Sequence, residues 1–175
     1  MKNFIPMLMA ACAAIVITSC QNSPQHDAAK GIALMPNDSL FHISEGGYDF
    51  NIILPKDMMI ENSPSISVNS ATGELNIQLG NQFWIVASQE KGDMKTVKAE
   101  LNEDMLFMSR IIEESNNSLL YQRVLPDGSA YDYSYKCSNE VSGKPYFFRT
   151  CEEGEFTMEN VGRMKVAISS VHSAV

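Results

Sequence analysis

The sequence predicts an α+β domain in which an antiparallel β-sheet of about six to seven strands is covered by two main helices. Three observations lead to this fold class. Short runs of alternating apolar and polar residues are separated by turn residues, as in antiparallel strands. Two longer segments change to apolar spacings of three and four residues, as in amphipathic helices. The chain has 175 residues, of which 45% are hydrophobic and 19% charged, so it is large enough for one sizeable core.

The first half of the domain is predicted to be built from strands. An opening alternating run is ended by Pro55, and two later runs flank a turn that closes at Gly73, which is typical of a hairpin. The last run is apolar on both sides and predicts a central strand that is covered on each face. These strands are predicted at 48–54, 65–69, 74–79 and 82–88, whereas 56–64 carries no assignable pattern.

The clearest helix of the sequence begins after Asp93, which is a good N-cap residue. Apolar residues then recur at spacings of three and four, with lysines and acids on the opposite side. Three of the apolar residues are methionines, which we expect to fill irregular space between the helix and a twisted sheet. The predicted stripe consists of Met94, Val97, Leu101, Met105, Met108 and Ile112.

The second half returns to strand patterns and ends in a helix. A strong turn at 126–129 and a loop at 142–143 separate three predicted strands. The closing helix has Thr157 as its cap, and Phe156 and Val161 occupy the hydrophobic-staple positions. The predicted strands are 118–125, the alternating segment from 131 to 136, and 145–151.

The N-terminus has the pattern of a secretory signal. Lys2 precedes an uncharged run, 4–18, which is shorter than the roughly 20 residues of a membrane-spanning helix. The run ends in Ile-Thr-Ser-Cys at 17–20, which resembles the bacterial lipobox. The resemblance implies that 1–19 is a lipoprotein signal peptide and that Cys20 becomes the acylated N-terminus, with the lipid bilayer as its partner. Several acyl chains on one residue give stable anchoring.

The lipobox implies a simple domain organisation. The lipidated N-terminus and a flexible tether are expected at 20–40, because this segment is polar and has no sustained period. A single globular domain is expected at 41–175. No acidic stretch follows Cys20, so we expect the protein in the cell envelope, lipid-anchored at the periplasmic face of the outer membrane.

Two cysteines remain once Cys12 has been cleaved away and Cys20 acylated. Cys137 and Cys151 would lie in an oxidising compartment, where an even count predicts a disulfide. Two free thiols buried in the sheet are the alternative.

Composition and motifs exclude several function classes. The formal net charge of −8 disfavours binding to nucleic acid or to anionic lipid head groups. The three histidines are far apart in sequence, and none has a ligand at metal-site spacing. The sequence contains no nucleophile elbow and no phosphate-binding loop. We therefore expect no catalytic residues, no metal and no cofactor.

One aromatic feature suggests a binding surface. Tyr131, Tyr133 and Tyr135 alternate with polar residues and share one side of their strand, with Tyr146 predicted opposite them. If this row faces solvent, it forms an aromatic platform for a glycan or an envelope protein. If it faces the helices, it belongs to the core.

The order of elements resembles a known fold. An opening strand that ends at Pro55, a hairpin, a central helix, an aromatic hairpin and a closing helix resemble the PsbP-like fold over about 41–172. Together with the lipobox, this combination resembles uncharacterised lipoproteins of Bacteroides-type bacteria. The resemblance implies a non-catalytic binding or assembly module. A small periplasmic hydrolase whose site forms only in three dimensions is the alternative.

Overall fold

The computed structural model of the chain describes residues 38–174. The predicted signal peptide, the lipidation site Cys20 and most of the predicted tether lie outside this range. The described part contains nine strands and three helices. These are β1 (Asp38–Ile43), β2 (Phe50–Pro55), α1 (Lys56–Met59), β3 (Ser65–Val68), β4 (Leu75–Leu79), β5 (Phe83–Ser88), α2 (Met94–Glu103), β6 (Met108–Glu114), β7 (Ser118–Val124), β8 (Ala130–Val141), β9 (Lys144–Thr150) and α3 (Met158–Ser169).

The predicted α+β class with an antiparallel sheet is confirmed. Seven strands form the central sheet in the order β3-β4-β5-β9-β8-β7-β6, and β1 pairs with β2 in a separate two-stranded sheet. Every strand pair is antiparallel, as short connections between neighbouring strands require. The strand β5 lies in the interior of the sheet, as its apolar sequence predicts.

One side of the central sheet, here called the core face, holds the main hydrophobic core. The helix α3 and the two-stranded sheet cover this face. The Phe50 ring of β2 lies 5.4 Å from Tyr146 and 5.7 Å from Phe148, both in edge-to-face geometry. The β4 residues of this face are fully buried, and so are three α3 residues that pack on it, namely Val161, Met164 and Ile168.

The opposite side, here called the outer face, is only partly covered. The helix α2 packs Met94 and Val97 onto Leu119 and Tyr121 of β7. The strands β6, β7 and β8 form this covered half. The strands β3, β4 and β5 and the end of β9 at Arg149 form the other half, here called the open half. Phe147, earlier in β9, packs against the α2 cluster, and no helix of the described residues packs on the open half.

The closing helix forms as predicted. The Thr157 hydroxyl accepts a hydrogen bond from the backbone N–H of Asn160 at 3.3 Å, so Thr157 is the N-cap. The hairpin between β3 and β4 is also confirmed, and Gly73 has a φ of 74°, which glycine adopts without strain.

The prediction of one long helix after Asp93 is wrong. The N-cap is correct, because the Asp93 carboxylate accepts from Lys95 N–H at 3.0 Å, but α2 ends at Glu103. The Asp104 carboxylate then accepts from the backbone N–H groups of Leu106 and Phe107, which favours a turn over another helical turn. The segment that follows pairs with β7 as the edge strand β6.

The expected packing role of the later methionines is wrong as well. Met105 is 95% exposed and Met108 is 56% exposed. Both lie outside the helix, so the spacing that they share with Met94 and Val97 does not place them on its buried side.

A strand of the described residues occupies the end of the predicted tether. The strand β1 starts at Asp38, inside the segment expected to be tether, and its whole length pairs with β2. The unassigned segment after β2 contains the four-residue helix α1.

Candidate functional site

A groove lies on the open half of the outer face. Its floor follows one row of paired residues across four strands. Ser67 pairs with Asn76, Asn76 with Val86, and Val86 with Arg149. Since side chains alternate along a strand, the members of such a row lie on the same side of the sheet.

Alternation along β4 explains why the groove is polar. Leu75, Ile77 and Leu79 are fully buried on the core face, so the intervening Asn76 and Gln78 must point to the outer face. The helix α2 packs only on the other half of this face, so nothing in the described part of the chain covers these amides.

Trp84 crosses the floor of the groove and is held there. Its indole Nε1–H donates to Asn76 Oδ1 on the neighbouring strand at 3.0 Å. Trp84 pairs directly with Gln78, so this hydrogen bond runs diagonally to the residue two positions away. The diagonal bond holds the ring along the sheet surface, and the side chain remains partly exposed.

Four charged side chains on this face form two ion pairs. Arg149 Nη2 lies 2.8 Å from Glu74 Oε1, and Lys136 Nζ lies 3.2 Å from Glu152 Oε1. Arg149 and Lys136 are opposite each other on β9 and β8, and two like charges in this position destabilise a sheet when they are unpaired. The two glutamates offset that repulsion and leave the four groups with no net charge.

The groove has a volume of about 470 Å³, within the range of small-molecule sites. The strand β3 and its turn border one side, and the segment after β9 borders the other. The lining consists of Ser67, Asn69, Glu74, Asn76, Gln78, Trp84, Val86, Arg149, Cys151, Glu152 and Glu153.

The predicted disulfide is not formed. Cys137 and Cys151 are both free and buried. The register pairs Cys137 with Phe148, three residues before Cys151, and three residues of strand span about 10 Å. A disulfide joins Cα atoms that lie no more than about 7 Å apart. Burial raises the pKa of both thiols, so neither is an activated thiolate.

The four tyrosines of the predicted aromatic platform do not share one exposed surface. Tyr135 and Tyr146 are buried in the core of the domain, and Tyr133 is half-buried and accepts a hydrogen bond from Gln122 at 2.8 Å. Tyr146 pairs with Asn139 rather than with the tyrosine row, because β8 continues far beyond Tyr135 before it turns. Tyr131 alone is exposed.

Tyr131 belongs to a different cluster, at the end of the covered half. The centroid of its ring lies 4.8 Å from that of the Phe107 ring. The Arg123 guanidinium lies over both rings, 5.4 Å from the centroid of Tyr131 and 5.0 Å from the centroid of Phe107. The hydroxyl of Tyr131 donates to Glu155 at 2.7 Å, a bond that raises the pKa of this tyrosine. Arg123 also forms a double hydrogen bond with the buried carboxylate of Asp132.

The histidines of the described range lie away from the groove. His42 on β1 and His172 after α3 both approach the side-chain amide of Asn51, at 3.2 Å and 3.5 Å. Among residues 38–174, no group of three or more His, Cys, Asp or Glu side chains is arranged to hold a metal ion. No helix within that range is both long enough and apolar enough to cross a membrane.

Comparison with protein-family models, with curated proteins and with solved structures found no match to this chain.

The sequence patterns alone do not predict the groove, because the apolar run of β5 predicts a strand that is covered on both faces. A usable signal was present: long amides at alternate positions of β4 and a tryptophan between two buried residues, Phe83 and Ile85, of β5. Tryptophan is enriched at interfaces, where its N–H finds a hydrogen-bond partner and its ring an apolar contact.

Proposed function

We propose that this chain is an envelope lipoprotein, anchored in the bilayer through acylated Cys20 at the periplasmic face of the outer membrane, and that its folded domain is a non-catalytic binding module. The lipobox at 17–20 supports the anchoring. The groove on the open half is the proposed ligand site. The acidic net charge makes nucleic acid an unsuitable ligand.

One observation carries the binding proposal: the polar side chains of the groove are held in place before any ligand binds. Trp84 is hydrogen-bonded to Asn76, Gln78 donates to the backbone carbonyl of Gly80 at 3.0 Å, and Arg149 is paired with Glu74. Side chains that are already ordered lose less conformational entropy on binding, which favours recognition.

Binding is favoured over hydrolysis by the chemistry of the groove. A serine or cysteine hydrolase needs an activated nucleophile beside a general base, and a glycosidase needs two carboxyl groups that flank the bond to be cleaved. In the groove, Glu74 and Glu152 are held in ion pairs with Arg149 and Lys136. The thiol in the groove belongs to Cys151, and burial raises its pKa. The histidines of the described residues, His42 and His172, lie together beside Asn51 and not among the residues that line the groove.

Site-specific photo-crosslinking in cells tests the binding role. A photoreactive amino acid replaces Gln78 inside the groove or, as the matched control, Asn81, an exposed amide in the next turn. We expect a discrete adduct with a protein or a glycan from position 78 and none from position 81. Equal labelling from the two positions, or none from either, contradicts the proposal.

Metabolic labelling with palmitate tests the lipid anchoring through Cys20 separately from the groove. We expect label in the wild-type chain and none in Cys20→Ala. Label that persists in the variant, or an unlabelled wild-type chain, removes the lipoprotein assignment without affecting the groove.

We also propose that the folded domain has a PsbP-like fold. The opening strand that ends at Pro55, the hairpin, α2, the β8–β9 hairpin and the closing α3 support it by their order. An experimental structure superposed on PsbP-like proteins tests it, and a different strand order in their central sheet would contradict it.

A further inference from the structure

We propose that the groove on the open half binds an uncharged saccharide. This inference rests on the binding function proposed above and specifies the ligand of the same site. Its basis is the combination, in one groove, of fixed amides, a fixed indole and cations that are already paired with carboxylates.

The amides of the groove are arranged to exchange hydrogen bonds with hydroxyl groups. Asn76 uses its Oδ1 to accept from the indole, so its amide N–H groups are the end available to a ligand. Gln78 uses its Nε2 to donate to Gly80, so its Oε1 is the available end. One available donor and one available acceptor on neighbouring positions suit a hydroxyl group, which both donates and accepts.

Asn69 and Ser67 extend this polar lining towards the edge of the sheet. The Asn69 Oδ1 accepts from the backbone N–H of Ala71 at 2.9 Å, which leaves its amide N–H groups available. The Ser67 hydroxyl belongs to the same cross-strand row as Asn76. The groove therefore presents several neutral hydrogen-bonding groups in sequence, as a ligand with many hydroxyls requires.

Trp84 supplies the apolar contact. A pyranose ring carries hydroxyls at its edge and C–H groups on its face, and such a face packs on an aromatic ring. The indole is held along the sheet by its bond to Asn76, so it is ready for that contact. Because the indole N–H already has a hydrogen-bond partner, a ligand that packs on the ring buries apolar area at a low cost in side-chain entropy.

The charges of the groove favour a neutral ligand. The cations of this face, Arg149 and Lys136, are already paired with glutamates. An anionic ligand would have to displace a carboxylate from one of them and would also meet the Glu153 carboxylate in the lining. A neutral ligand leaves both ion pairs intact.

The position of the groove in the sheet disfavours a peptide. Peptides in extended conformation bind to sheets by pairing with the backbone of an edge strand. Here the centre of the floor lies on β4 and β5, whose backbones pair with strands on both sides, and the unpaired edge of β3 lies at the border of the groove, away from Trp84 on β5. The groove thus offers side chains rather than free backbone groups.

Tryptophan fluorescence provides a direct assay, because Trp84 is the one tryptophan of the 175-residue chain. The purified full chain is titrated with maltose, cellobiose and N,N′-diacetylchitobiose as neutral probes. Glucuronic acid is the anionic probe and tri-alanine the peptide probe. Calorimetry repeats each titration, so that variants of Trp84 can be measured as well.

We expect at least one neutral saccharide to change the Trp84 emission with saturation. Asn76→Ala and Trp84→Ala should each weaken that binding about tenfold or more, while Asn81→Ala leaves it unchanged. Circular dichroism and thermal melts verify that the variants are folded.

Three results would overturn the saccharide inference, and a fourth would overturn only the non-catalytic function. Binding of tri-alanine alone, or binding of glucuronic acid alone that is lost in Arg149→Gln, identifies a different ligand class and leaves the binding module in place. If none of the probes binds, the saccharide inference fails and the crosslinking result still decides the binding role. If a saccharide binds and is cleaved over time, the saccharide class stands and the non-catalytic function fails.

Discussion

The two faces of the central sheet are built from the same strands but have different chemistry. The core face holds the main hydrophobic core and is covered by α3 and the two-stranded sheet. The outer face is apolar only where α2 packs, and the rest carries amides, ion pairs and a tryptophan. The comparison teaches that one face is sufficient for the main core, so half of the other face is free to carry a ligand site.

The largest expected effect comes from a pair of substitutions, one on each face. Phe148→Ala removes a fully buried ring from the core face and should lower the free energy of unfolding by about 4 kcal/mol. Asn76→Ala on the open half should change it by less than about 1 kcal/mol. Urea denaturation of both variants measures the difference. Similar losses in the two variants would contradict the division between a structural face and a free one.

The next effect concerns the covered half. The Asp132 carboxylate is 1% exposed and paired with Arg123, so Asp132→Ala leaves a partly buried guanidinium without its partner. We expect a loss of about 3 kcal/mol in the free energy of unfolding. Asp127→Ala, in the exposed turn before β8, is the matched control and should cost far less. Urea denaturation that finds equal losses would mean that the pair is not important for stability.

The smallest effect appears only at alkaline pH. Burial under α2 raises the pKa of Tyr121 to about 12, from the usual tyrosine value of about 10. A tyrosine with a higher pKa in the folded state stabilises fully below pH 10.0, and this contribution disappears as the pH rises through about 12. As the pH rises from about 10 to about 12, the free energy of unfolding of the wild type should therefore fall by about 2–3 kcal/mol more than that of Tyr121→Phe.

Denaturation curves at several pH values measure this difference. Tyr131→Phe, which removes an exposed tyrosine of the same face, is the control and should change the alkaline loss less. If Tyr121→Phe and wild type lose stability equally, the Tyr121 hydroxyl is not buried from solvent under α2.

The closing helix illustrates what local sequence can predict. A cap at Thr157 and apolar residues at 161, 164 and 168 act within one helix, so their spacing alone defines its start and its buried side. The hairpin of β3 and β4 is similar, because its turn and its alternation are both local.

The segment after α2 illustrates the opposite case. Met105, Met108 and Ile112 continue the helical spacing of Met94 and Val97, yet they belong to a turn and an edge strand. The difference depends on β7, which offers a partner for every residue of β6 except one at a bulge. The spacing of apolar residues within a segment does not show whether a strand later in the chain will pair with it.

The groove depends on tertiary structure in the same way. Alternation in β4 predicts which side of the strand is polar, but it does not predict whether α2 will cover that side. The two free cysteines follow the same logic, since their separation is set by the β8–β9 register and not by their number.

By itself, the sequence therefore determined the α+β class, the antiparallel hairpins and the cap of α3, because each depends on residues that are close in the chain. The tertiary structure decided where α2 ends, which half of the outer face stays open and which amides stand beside Trp84. Those features arise from packing and strand pairing between distant segments, and a local pattern of polar and apolar residues is compatible with more than one such arrangement.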